Sequence, residues 1–231
     1  MRLNALTIDL DDTLWPVLPT LRRAEAALRD WLVQQAPATA AAHDAAAMRA
    51  LREGVLRDRP DWAHDLSALR LECIRRALQA GGDDPARAAE GFDVFFTERQ
   101  RVDLFDDVLP ALERLAARWP IVALSNGNAD VHRVPGLGRW FHAAVSAQQL
   151  GVGKPAPAAF AEACRRAGAL PAHTLHIGDD AALDVDGALD AGLQAAWICR
   201  PALAGSSSTA PRGQPHHVVA SLAELADRLR A

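Results

Sequence analysis

The sequence predicts an α/β fold in which a parallel sheet with helices on both faces is interrupted by an inserted helical domain. Short apolar runs alternate with amphipathic helical stretches over the second half of the chain, a pattern typical of such sheets. One further apolar run ends near residue 10, and a long segment with helical spacing and no strand pattern separates it from the others. The predicted core therefore comprises residues 1–15 and 103–231, and the predicted insert comprises residues 16–102.

The first predicted elements are one strand and four helices. An apolar run at Leu3–Leu10 predicts a buried strand, because it contains Leu, Ile and Thr without helical spacing. The segment that follows is rich in Ala, Leu and Arg at helical spacing, and turn signals at Pro and Gly residues divide it. The four helices are expected near Leu21–Gln35, Ala42–Arg57, Leu66–Ala80 and Pro85–Arg101.

The second half of the chain alternates between strands and helices. Its strands are predicted at Pro120–Ser125, Ala143–Ala147, His173–Ile177, Gln194–Cys199 and the short apolar piece Val218–Val219. Its helices are predicted at Val108–Arg118, Pro157–Ala167, Ala182–Ala191 and Leu222–Leu229. The stretch Ala202–Pro215 is rich in Ser, Gly and Pro and therefore predicts a flexible loop.

Composition narrows the possible function classes. Half of the 231 residues are hydrophobic, which indicates a folded chain. The net charge of -4, with Lys and Arg spread along the chain, argues against a nucleic-acid partner. The three cysteines lie far apart and argue against a disulfide framework or a thiolate zinc site. The N-terminus lacks a secretory signal and no apolar run is long enough to cross a membrane, so we expect a cytoplasmic protein.

Asp9 and Asp11 follow the first predicted strand. Residues two apart in a strand share a face, so the two carboxylates are expected on the same side. One carboxylate of such a pair can act as a nucleophile, while the other passes a proton to the leaving oxygen and later takes one from water. Their mutual repulsion requires a nearby cation, although a solvated turn would also accommodate this spacing.

Two further polar motifs lie after later predicted strands. Ser125 and Asn126 can bind phosphoryl oxygens through the hydroxyl and neighbouring backbone N–H groups, although Asn-Gly is also an ordinary turn signal. Lys154 precedes a helix whose first position suits Pro155, which would place the lysine at a positive helix N-terminus. There it can neutralise the charge of a phosphate, unless it is simply a solvated loop residue.

Asp179 and Asp184 follow the predicted strand His173–Ile177. Carboxylate oxygens that face a phosphate suit Mg²⁺ better than zinc or copper, although an aspartate here would also cap the next helix. The four motifs occur in chain order at successive strand ends, where parallel α/β sheets bind their ligands. We therefore expect them to form one site for Mg²⁺ and a phosphate ester.

The ordered set of motifs resembles the haloacid dehalogenase-like hydrolase superfamily, whose core is a Rossmann-like sheet. The residues that carry the resemblance are Asp9, Asp11, Thr13, Ser125, Lys154, Gly178, Asp179 and Asp184. The helical insert looks like the alpha-helical cap that sets substrate specificity in that superfamily. The resemblance covers essentially the whole chain, and it implies a Mg²⁺-dependent phosphatase of a small phosphorylated metabolite, as a monomer or homodimer.

The resemblance also implies a role for each matching residue. Asp9 would attack phosphorus and form an aspartyl-phosphate, and Asp11 would act first as general acid and then as general base. The residues expected to contact the phosphoryl group or to order the site around it are Thr13, Ser125, Asn126 and Lys154. The residues expected around Mg²⁺ are Asp9, Asp11 through its backbone carbonyl, Asp179 and, directly or from a greater distance, Asp184.

The superfamily also contains dehalogenases, phosphonate hydrolases and phosphomutases. By resemblance, the acid at Asp11 disfavours a dehalogenase, since a halide leaving group needs no proton. The absence of lysine between Pro16 and Val102 disfavours phosphonate hydrolysis through a Schiff base in the cap. A phosphomutase would use the same core residues and stays open. A phospho-acceptor signalling domain would use Asp, Ser, Lys and Mg²⁺ as well, but it would lack the insert.

Several local runs are similar to bacterial phosphatases of FMN and of the phosphorylated ribitylaminouracil intermediate of riboflavin synthesis. These runs are residues 5–14, 119–129, 176–180 and 194–198. This similarity implies one of those two substrates, with a sugar-phosphate or phosphoglycolate-type substrate as the alternative. In the insert, His64 and Asp65 are candidates for the substrate pocket, although Asp65 would also cap a helix. Trp15 would either stack on a flavin ring or pack in a hinge.

Overall fold

The computed structural model describes residues 2–203 and 210–231. Its contacts divide the chain into two compact units, which are Met1–Val17 together with Val102–Ala231, and Leu18–Arg101. The first unit contains the sheet and is called the core unit below. The second unit is built of helices and is called the helical unit.

The described part of the core unit contains one sheet of six parallel strands. The strands are β1 (Ala5–Ile8), β2 (Ile121–Ser125), β3 (Ala143–Ser146), β4 (Thr174–Gly178), β5 (Gln194–Ile198) and β6 (His217–Val219). Their order across the sheet is β3-β2-β1-β4-β5-β6. The strand order therefore reverses beside β1, and such a switch point is where parallel α/β sheets bind ligands.

The helical unit forms an apolar core of its own. Its α-helices, among the described residues, are α1 (Val17–Gln35), α2 (Pro37–Ala42), α3 (Ala45–Asp58), α4 (Leu66–Gly81) and α5 (Ala88–Arg99). Leu28 and Leu32 of α1, Ile74 and Leu78 of α4, and Phe95 of α5 are buried together. The two pairs are each spaced by four residues, so each pair lies on one face of its helix.

Helices of the core unit cover both faces of the sheet. They are α6 (Val108–Ala116), α7 (Ala147–Leu150), α8 (Pro157–Ala167), α9 (Gly187–Asp190) and α10 (Leu222–Arg228). Leu6 of β1 packs in one apolar cluster with Leu112 and Leu225, whereas Ala5 packs in a second cluster with Phe160. Successive strand residues point to opposite faces, so each face has its own core. The predicted α/β fold, with helices on both faces of a parallel sheet, is confirmed.

One helix predicted in the insert begins later than expected, and a short helix that was not predicted precedes it. The sequence predicts a helix over Ala42–Arg57, but α2 ends at Ala42 and α3 begins at Ala45. Asp44 causes the restart, because its carboxylate accepts a hydrogen bond from the Ala47 N–H at 2.8 Å and so caps α3.

In the core unit α8 has the predicted range Pro157–Ala167, whereas the expected place of Pro155 and the start of one other helix differ from prediction. Pro157, rather than Pro155, occupies the first turn of α8, so Lys154 lies in the loop before the helix. The helix predicted over Ala182–Ala191 starts as a π-helix at Ala181–Asp186 and continues as α9. Asp180 caps the start of this helix, because its carboxylate accepts hydrogen bonds from two backbone N–H groups at 2.8 Å.

No helix among residues 2–203 and 210–231 is long and apolar enough to cross a membrane. The predicted flexible loop Ala202–Pro215 falls partly at residues 204–209, which lie outside the described residues. Its later part is attached to the core unit, because the backbone N–H groups of Arg212 and Gly213 donate to the Asp186 carboxylate at 3.1 and 2.9 Å.

Candidate active site

Three polar residues meet at the carboxyl ends of adjacent strands. Asp9 directly follows β1, Ser125 is the last residue of β2, and Asp179 directly follows β4. Because β1 pairs in parallel with both β2 and β4, these ends lie side by side. The backbone of Asp9 continues the ladder by donating to the carbonyl of Ile177 at 2.9 Å. The sheet itself therefore sets the positions of these side chains.

Lys154, the only lysine in the sequence, lies buried between two carboxylates. Its Nζ donates to Asp9 Oδ1 at 2.5 Å and to Asp184 Oδ1 at 2.6 Å. Burial alone would lower the pKa of Lys154, but the charges of Asp184 and Asp9 outweigh burial and raise that pKa above its usual value. The ammonium group therefore stays charged and links the two carboxylates.

The amide of Asn126 fixes the loop that carries Lys154. Asn126 Nδ2 donates to the Lys154 carbonyl at 2.8 Å, and the Lys154 N–H donates to Asn126 Oδ1 at 2.7 Å. A Cβ at Gly153 would lie 2.3 Å from Asn126 Oδ1, so glycine permits this close approach. Asn126 thus positions Lys154, and its direct contact with a substrate stays a prediction.

Asp184 is held by a buried histidine as well as by Lys154. His176 Nε2 lies 3.1 Å from Asp184 Oδ1, and His176 Nδ1 lies 2.8 Å from Thr7 Oγ1. Burial lowers the pKa of His176, so we assign a neutral ring that donates from Nε2 to Asp184 and accepts at Nδ1 from Thr7. Only the fold reveals that this histidine supports Asp184.

Three carboxylates form a compact acidic cluster. Oxygens of Asp9, Asp179 and Asp184 lie within 4.8 Å of one another. Burial raises the pKa of Asp9 well above its usual value and raises the pKa of Asp179 to about 7. Burial acts in the same direction on Asp184, but Lys154 and His176 outweigh it and hold the pKa of Asp184 low. A cation bound among these groups would favour the ionised form of each.

The donor set of this cluster fits a divalent cation such as Mg²⁺. All three side chains offer carboxylate oxygens, which are the ligands that Mg²⁺ prefers, and no thiolate or imidazole is in the cluster. Asp184 already accepts hydrogen bonds from Lys154, from His176 and from the Asp180 N–H. Asp9 and Asp179 therefore have more capacity for an ion than Asp184.

Asp11 is oriented by a buried tryptophan. Trp15 Nε1 donates to Asp11 Oδ1 at 2.8 Å, and the Trp15 side chain is fully buried. Of the two roles predicted for Trp15, packing is therefore the one that the structure supports, because a buried ring has no face on which a flavin can stack. Thr13, two residues beyond Asp11, donates from Oγ1 to Asp179 Oδ1 at 2.8 Å and fixes that carboxylate.

Ser125 lies buried at the end of β2. Its Oγ accepts a hydrogen bond from the Gly127 N–H at 3.0 Å. A hydroxyl that accepts in this way can still donate its own proton to a phosphoryl oxygen. The arrangement is compatible with the predicted phosphate contact of Ser125.

The two site residues predicted in the insert belong to the helical unit. Asp65 caps α4, because its carboxylate accepts from the Ala68 N–H at 2.8 Å. His64 is the last residue of a short 3₁₀ helix, Pro60–His64, that precedes this cap. The alternative of a helix cap therefore applies to Asp65, and a substrate contact of either residue stays a prediction.

Arg200 holds the loop that carries Thr13, and the sequence analysis did not identify it as a site residue. Its guanidinium donates from Nε and Nη2 to the Thr13 carbonyl at 3.1 and 2.8 Å, and from Nη1 to Asp107 Oδ1 at 2.6 Å. Asp107 Oδ2 in turn accepts from the Leu222 N–H at 2.7 Å, at the start of α10. One buried arginine therefore ties the loop after β1 to α6 and α10, a link between distant segments that local patterns cannot reveal.

Comparison with known proteins identifies relatives over the whole chain. A family model described as haloacid dehalogenase-like hydrolase matches residues 3–192. The chain is 33% identical over 229 residues to 5-amino-6-(5-phospho-D-ribitylamino)uracil phosphatase of Escherichia coli (strain K12), with 97% of this chain and 95% of the relative covered. It is 30% identical to the phosphoserine phosphatase of Thermus thermophilus, with 96% and 98% covered.

Solved structures with the same fold are named for two different activities. The crystal structure of 2-haloacid dehalogenase from Pseudomonas syringae pv. Tomato DC3000 superimposes with a TM-score of 0.90 and 37% sequence identity, over 99% of each chain. A phosphatase from Thermococcus onnurineus superimposes with a TM-score of 0.68 at 19% identity, a level that shows the fold alone. The relatives thus include both phosphatases and dehalogenases.

Proposed function

This chain belongs to the haloacid dehalogenase-like hydrolases, and on that premise we propose that it is a Mg²⁺-dependent phosphatase that acts through an aspartyl-phosphate. The observation that carries the proposal is the contact of Lys154 Nζ with Asp9 Oδ1 at 2.5 Å, within a cluster of three carboxylates. A carboxylate that is held by an ammonium group at a strand end is suited to attack an electron-poor phosphorus atom. Relatives named as phosphatases that are aligned over nearly the whole chain support this reading.

In the first step, Asp9 attacks the phosphorus of the substrate. A bond forms between a carboxylate oxygen of Asp9 and phosphorus, and the bond from phosphorus to the ester oxygen breaks. The departing alkoxide takes a proton from Asp11, which therefore acts as the general acid. Trp15 holds Asp11 Oδ1 at 2.8 Å and so limits the orientations that this carboxyl group can adopt.

In the second step, water hydrolyses the aspartyl-phosphate. Asp11, now a carboxylate, takes a proton from the water as its oxygen attacks phosphorus. The bond between phosphorus and Asp9 breaks, which releases inorganic phosphate and restores the Asp9 carboxylate. Lys154 and the Ser125 hydroxyl would offset the negative charge of the phosphoryl oxygens during both steps. Asn126 positions Lys154, and His176 positions Asp184. Neither Asn126 nor His176 takes part in the reaction.

Mg²⁺ would be held by Asp9, the backbone carbonyl of Asp11 and Asp179, with Asp184 nearby. When bound, the ion supplies positive charge that stabilises the crowded oxygens of phosphate and carboxylate. Thr13 fixes Asp179 for this purpose through its 2.8 Å hydrogen bond. The buried cluster is the reason to expect a dependence on the metal, because like charges this close repel one another without a cation.

Dehalogenation is the second candidate function, because a structure named as a 2-haloacid dehalogenase is 37% identical to this chain. Asp9 and Lys154 would serve both reactions, since each begins with attack by a carboxylate. The two reactions differ in the leaving group: an alkoxide needs a proton, whereas a halide departs as a stable anion. Asp11 is required only for the first reaction, and its presence favours the phosphatase.

The substrate proposal rests on the relatives and on the helical unit. We propose FMN or the phosphorylated ribitylaminouracil as substrate, because the Escherichia coli relative named for the second compound is 33% identical over 97% of this chain. The helical unit would act as a cap that sets this choice. Sugar phosphates, phosphoserine and phosphoglycolate are the competing substrates. A cytoplasmic location and a monomeric or homodimeric state stay predictions.

The test is to measure phosphate release from these compounds and chloride release from 2-chloropropionate with the same purified protein. Each assay is run with Mg²⁺ and with the metal removed by EDTA. Asp9→Asn should abolish turnover, whereas Asp106→Asn changes an exposed aspartate outside the site and serves as the matched control. We expect phosphate release that requires Mg²⁺ and Asp9, with no chloride release.

Each alternative has its own signature in that experiment. Chloride release without ester hydrolysis would establish the dehalogenase reading and refute the phosphatase proposal. Hydrolysis that prefers sugar phosphates over both flavin-pathway compounds would keep the phosphatase and discard the substrate proposal. Hydrolysis that survives in Asp9→Asn would show that Asp9 is not the nucleophile.

A further inference from the structure

A cavity of about 140 Å³ lies inside the helical unit. Leu28 and Leu32 of α1 line it, together with Met48 of α3 and Arg70 of α4. All of its lining residues belong to the helical unit, and His64 and Asp65 are not among them. The cavity is smaller than the sites of about 300–1,000 Å³ that hold drug-sized ligands, so it suits a small molecule or one part of a larger one.

The wall of this cavity carries an excess of positive charge. Its charged residues are Glu25, Arg29, Asp44, Arg49, Arg52 and Arg70. Asp44 is engaged in capping α3, where its carboxylate accepts from the Ala47 N–H. Arg29 donates to the backbone carbonyls of Ala40 and His43 at 2.7 and 2.9 Å. Three arginines and one glutamate remain to face a ligand, so the wall favours an anion.

Arg70 is a buried cation whose charge is only weakly compensated. Its side chain is 13% exposed, and its guanidinium lies 4.2 Å from the centre of the Phe95 ring. The nearest carboxylate oxygen, on Glu25, is 3.4 Å away, and the Glu25 side chain is 52% exposed to water. Burial lowers the pKa of Arg70, Glu25 partly opposes this effect, and Arg52 lowers the pKa further. A buried guanidinium in this state would be stabilised by a second anion.

We propose that this cavity binds a small organic anion, with Arg70 and Arg52 contacting its charged group and Leu28 and Leu32 contacting its apolar part. A guanidinium suits the oxygens of a carboxylate, phosphoryl or sulfonate group, because it can donate two parallel hydrogen bonds. The two leucines are 3% and 2% exposed and supply an apolar wall. The anion is a small molecule that binds within the helical unit alone. Binding itself does not depend on the proposed hydrolysis.

The test uses 4-fluorobenzenesulfonate, whose sulfonate stays ionised and has no ester to hydrolyse. Binding to the full-length protein is followed by fluorine NMR in a concentration series. We expect saturable binding, weakened about tenfold or more in both Arg52→Gln and Arg70→Gln, because each loses a charge that pairs with the sulfonate. The matched control is Arg57→Gln, an exposed arginine of α3 that does not line the cavity. The uncharged analogue 4-fluorobenzenesulfonamide should bind more weakly than the sulfonate.

Two safeguards keep the result interpretable. Circular dichroism and thermal melting check folding, and Arg52→Gln, which alters an exposed side chain, remains informative if Arg70→Gln fails to fold. Ser125→Ala tests whether the probe instead binds in the core unit. Absence of saturable binding, equal affinity of the wild type and Arg52→Gln, or loss of binding in Ser125→Ala alone would each overturn the proposal.

The binding site and the proposed function can fail independently. A chain that hydrolyses no ester but still binds the probe through Arg52 would refute the proposed function while supporting this site, so the two failures are distinguishable.

Discussion

Replacing Gly178 with alanine would test how tightly Asp184 is held. An added Cβ would lie 2.2 Å from Asp184 Cγ and 2.3 Å from its Oδ2. To move from 2.2 Å to an ordinary contact of 3.4 Å, the carboxyl group must recede by about 1.2 Å. A displacement of that size would disrupt the contacts of Asp184 with Lys154 Nζ at 2.6 Å and with the Asp180 N–H at 2.9 Å.

The cost of Gly178→Ala should appear in both stability and rate. Overpacking a buried site typically costs about 1–3 kcal/mol of folding free energy, and in a chain of this size each kcal/mol lowers the melting temperature by about 2–4 °C. Lys154 joins Asp184 to Asp9, so the displacement also reaches the proposed nucleophile. A misplacement of about 1 Å can slow catalysis about 10²-fold. We therefore expect kcat to fall by about that factor.

Thermal melting and Mg²⁺-dependent phosphate release measure these two effects on the same preparation. Gly54→Ala is the matched control, because the nearest atom to its added Cβ is 3.8 Å away and α3 should gain up to about 1 kcal/mol from alanine. A Gly178→Ala variant that melts and turns over like the wild type would show that Asp184 is free to shift. Packing at the end of β4 would then not fix the position of Asp184.

Three further predictions concern single side chains. Asp9→Asn should retain the fold and slow phosphate release by several orders of magnitude, which circular dichroism and a phosphate assay would check, because an amide is a poor nucleophile. Arg200→Met should destabilise the protein by about 3 kcal/mol in urea unfolding, since it removes the guanidinium that pairs with the charge of Asp107. Arg165→Met, at a surface pair, should cost less than about 1 kcal/mol. Two arginines lower the pKa of Glu72 to about 2, so its ion pairs add stability above its usual pKa and lose it as pH falls toward 2. The stability difference between the wild type and Glu72→Gln should therefore narrow as pH is lowered from about 6 to about 3, and a constant difference would contradict this linkage.

Much of the sheet could be predicted because its central strands β1, β2 and β4 are buried at every position. Each predicted strand overlaps an observed strand. A short apolar run such as Gln194–Cys199 is typical of a strand that is buried in a parallel sheet. Predicted helix boundaries were wrong where a single side chain determines where a helix begins. Asp44 caps α3 and so starts it three residues later than the Ala-rich pattern indicates. The π-helix at Ala181–Asp186 leaves no signature in hydrophobic spacing.

The candidate site was predictable to the extent that its residues follow strands. Asp9, Ser125 and Asp179 all directly end or follow a strand, so knowledge of a parallel sheet is enough to place them together. The supporting contacts were not predictable, because they join segments that are remote in sequence. Arg200 donates to the Thr13 carbonyl across 187 residues, and His176 contacts Thr7 across 169 residues, so neither contact has a local pattern.

The discontinuity of the core unit constrains the order in which a newly made chain can fold. β1 is synthesised before both of its neighbours in the sheet, which follow only after the whole of Leu18–Arg101. Thr7 and His176, which meet in the finished sheet, are 169 residues apart. The helical unit is one continuous segment with its own apolar core, so it can fold during translation. β1 has no strand to pair with until β2 or β4 has been synthesised. Asp9 is synthesised before the helical unit, yet its partner Lys154 lies 145 residues further along and is made only after that unit.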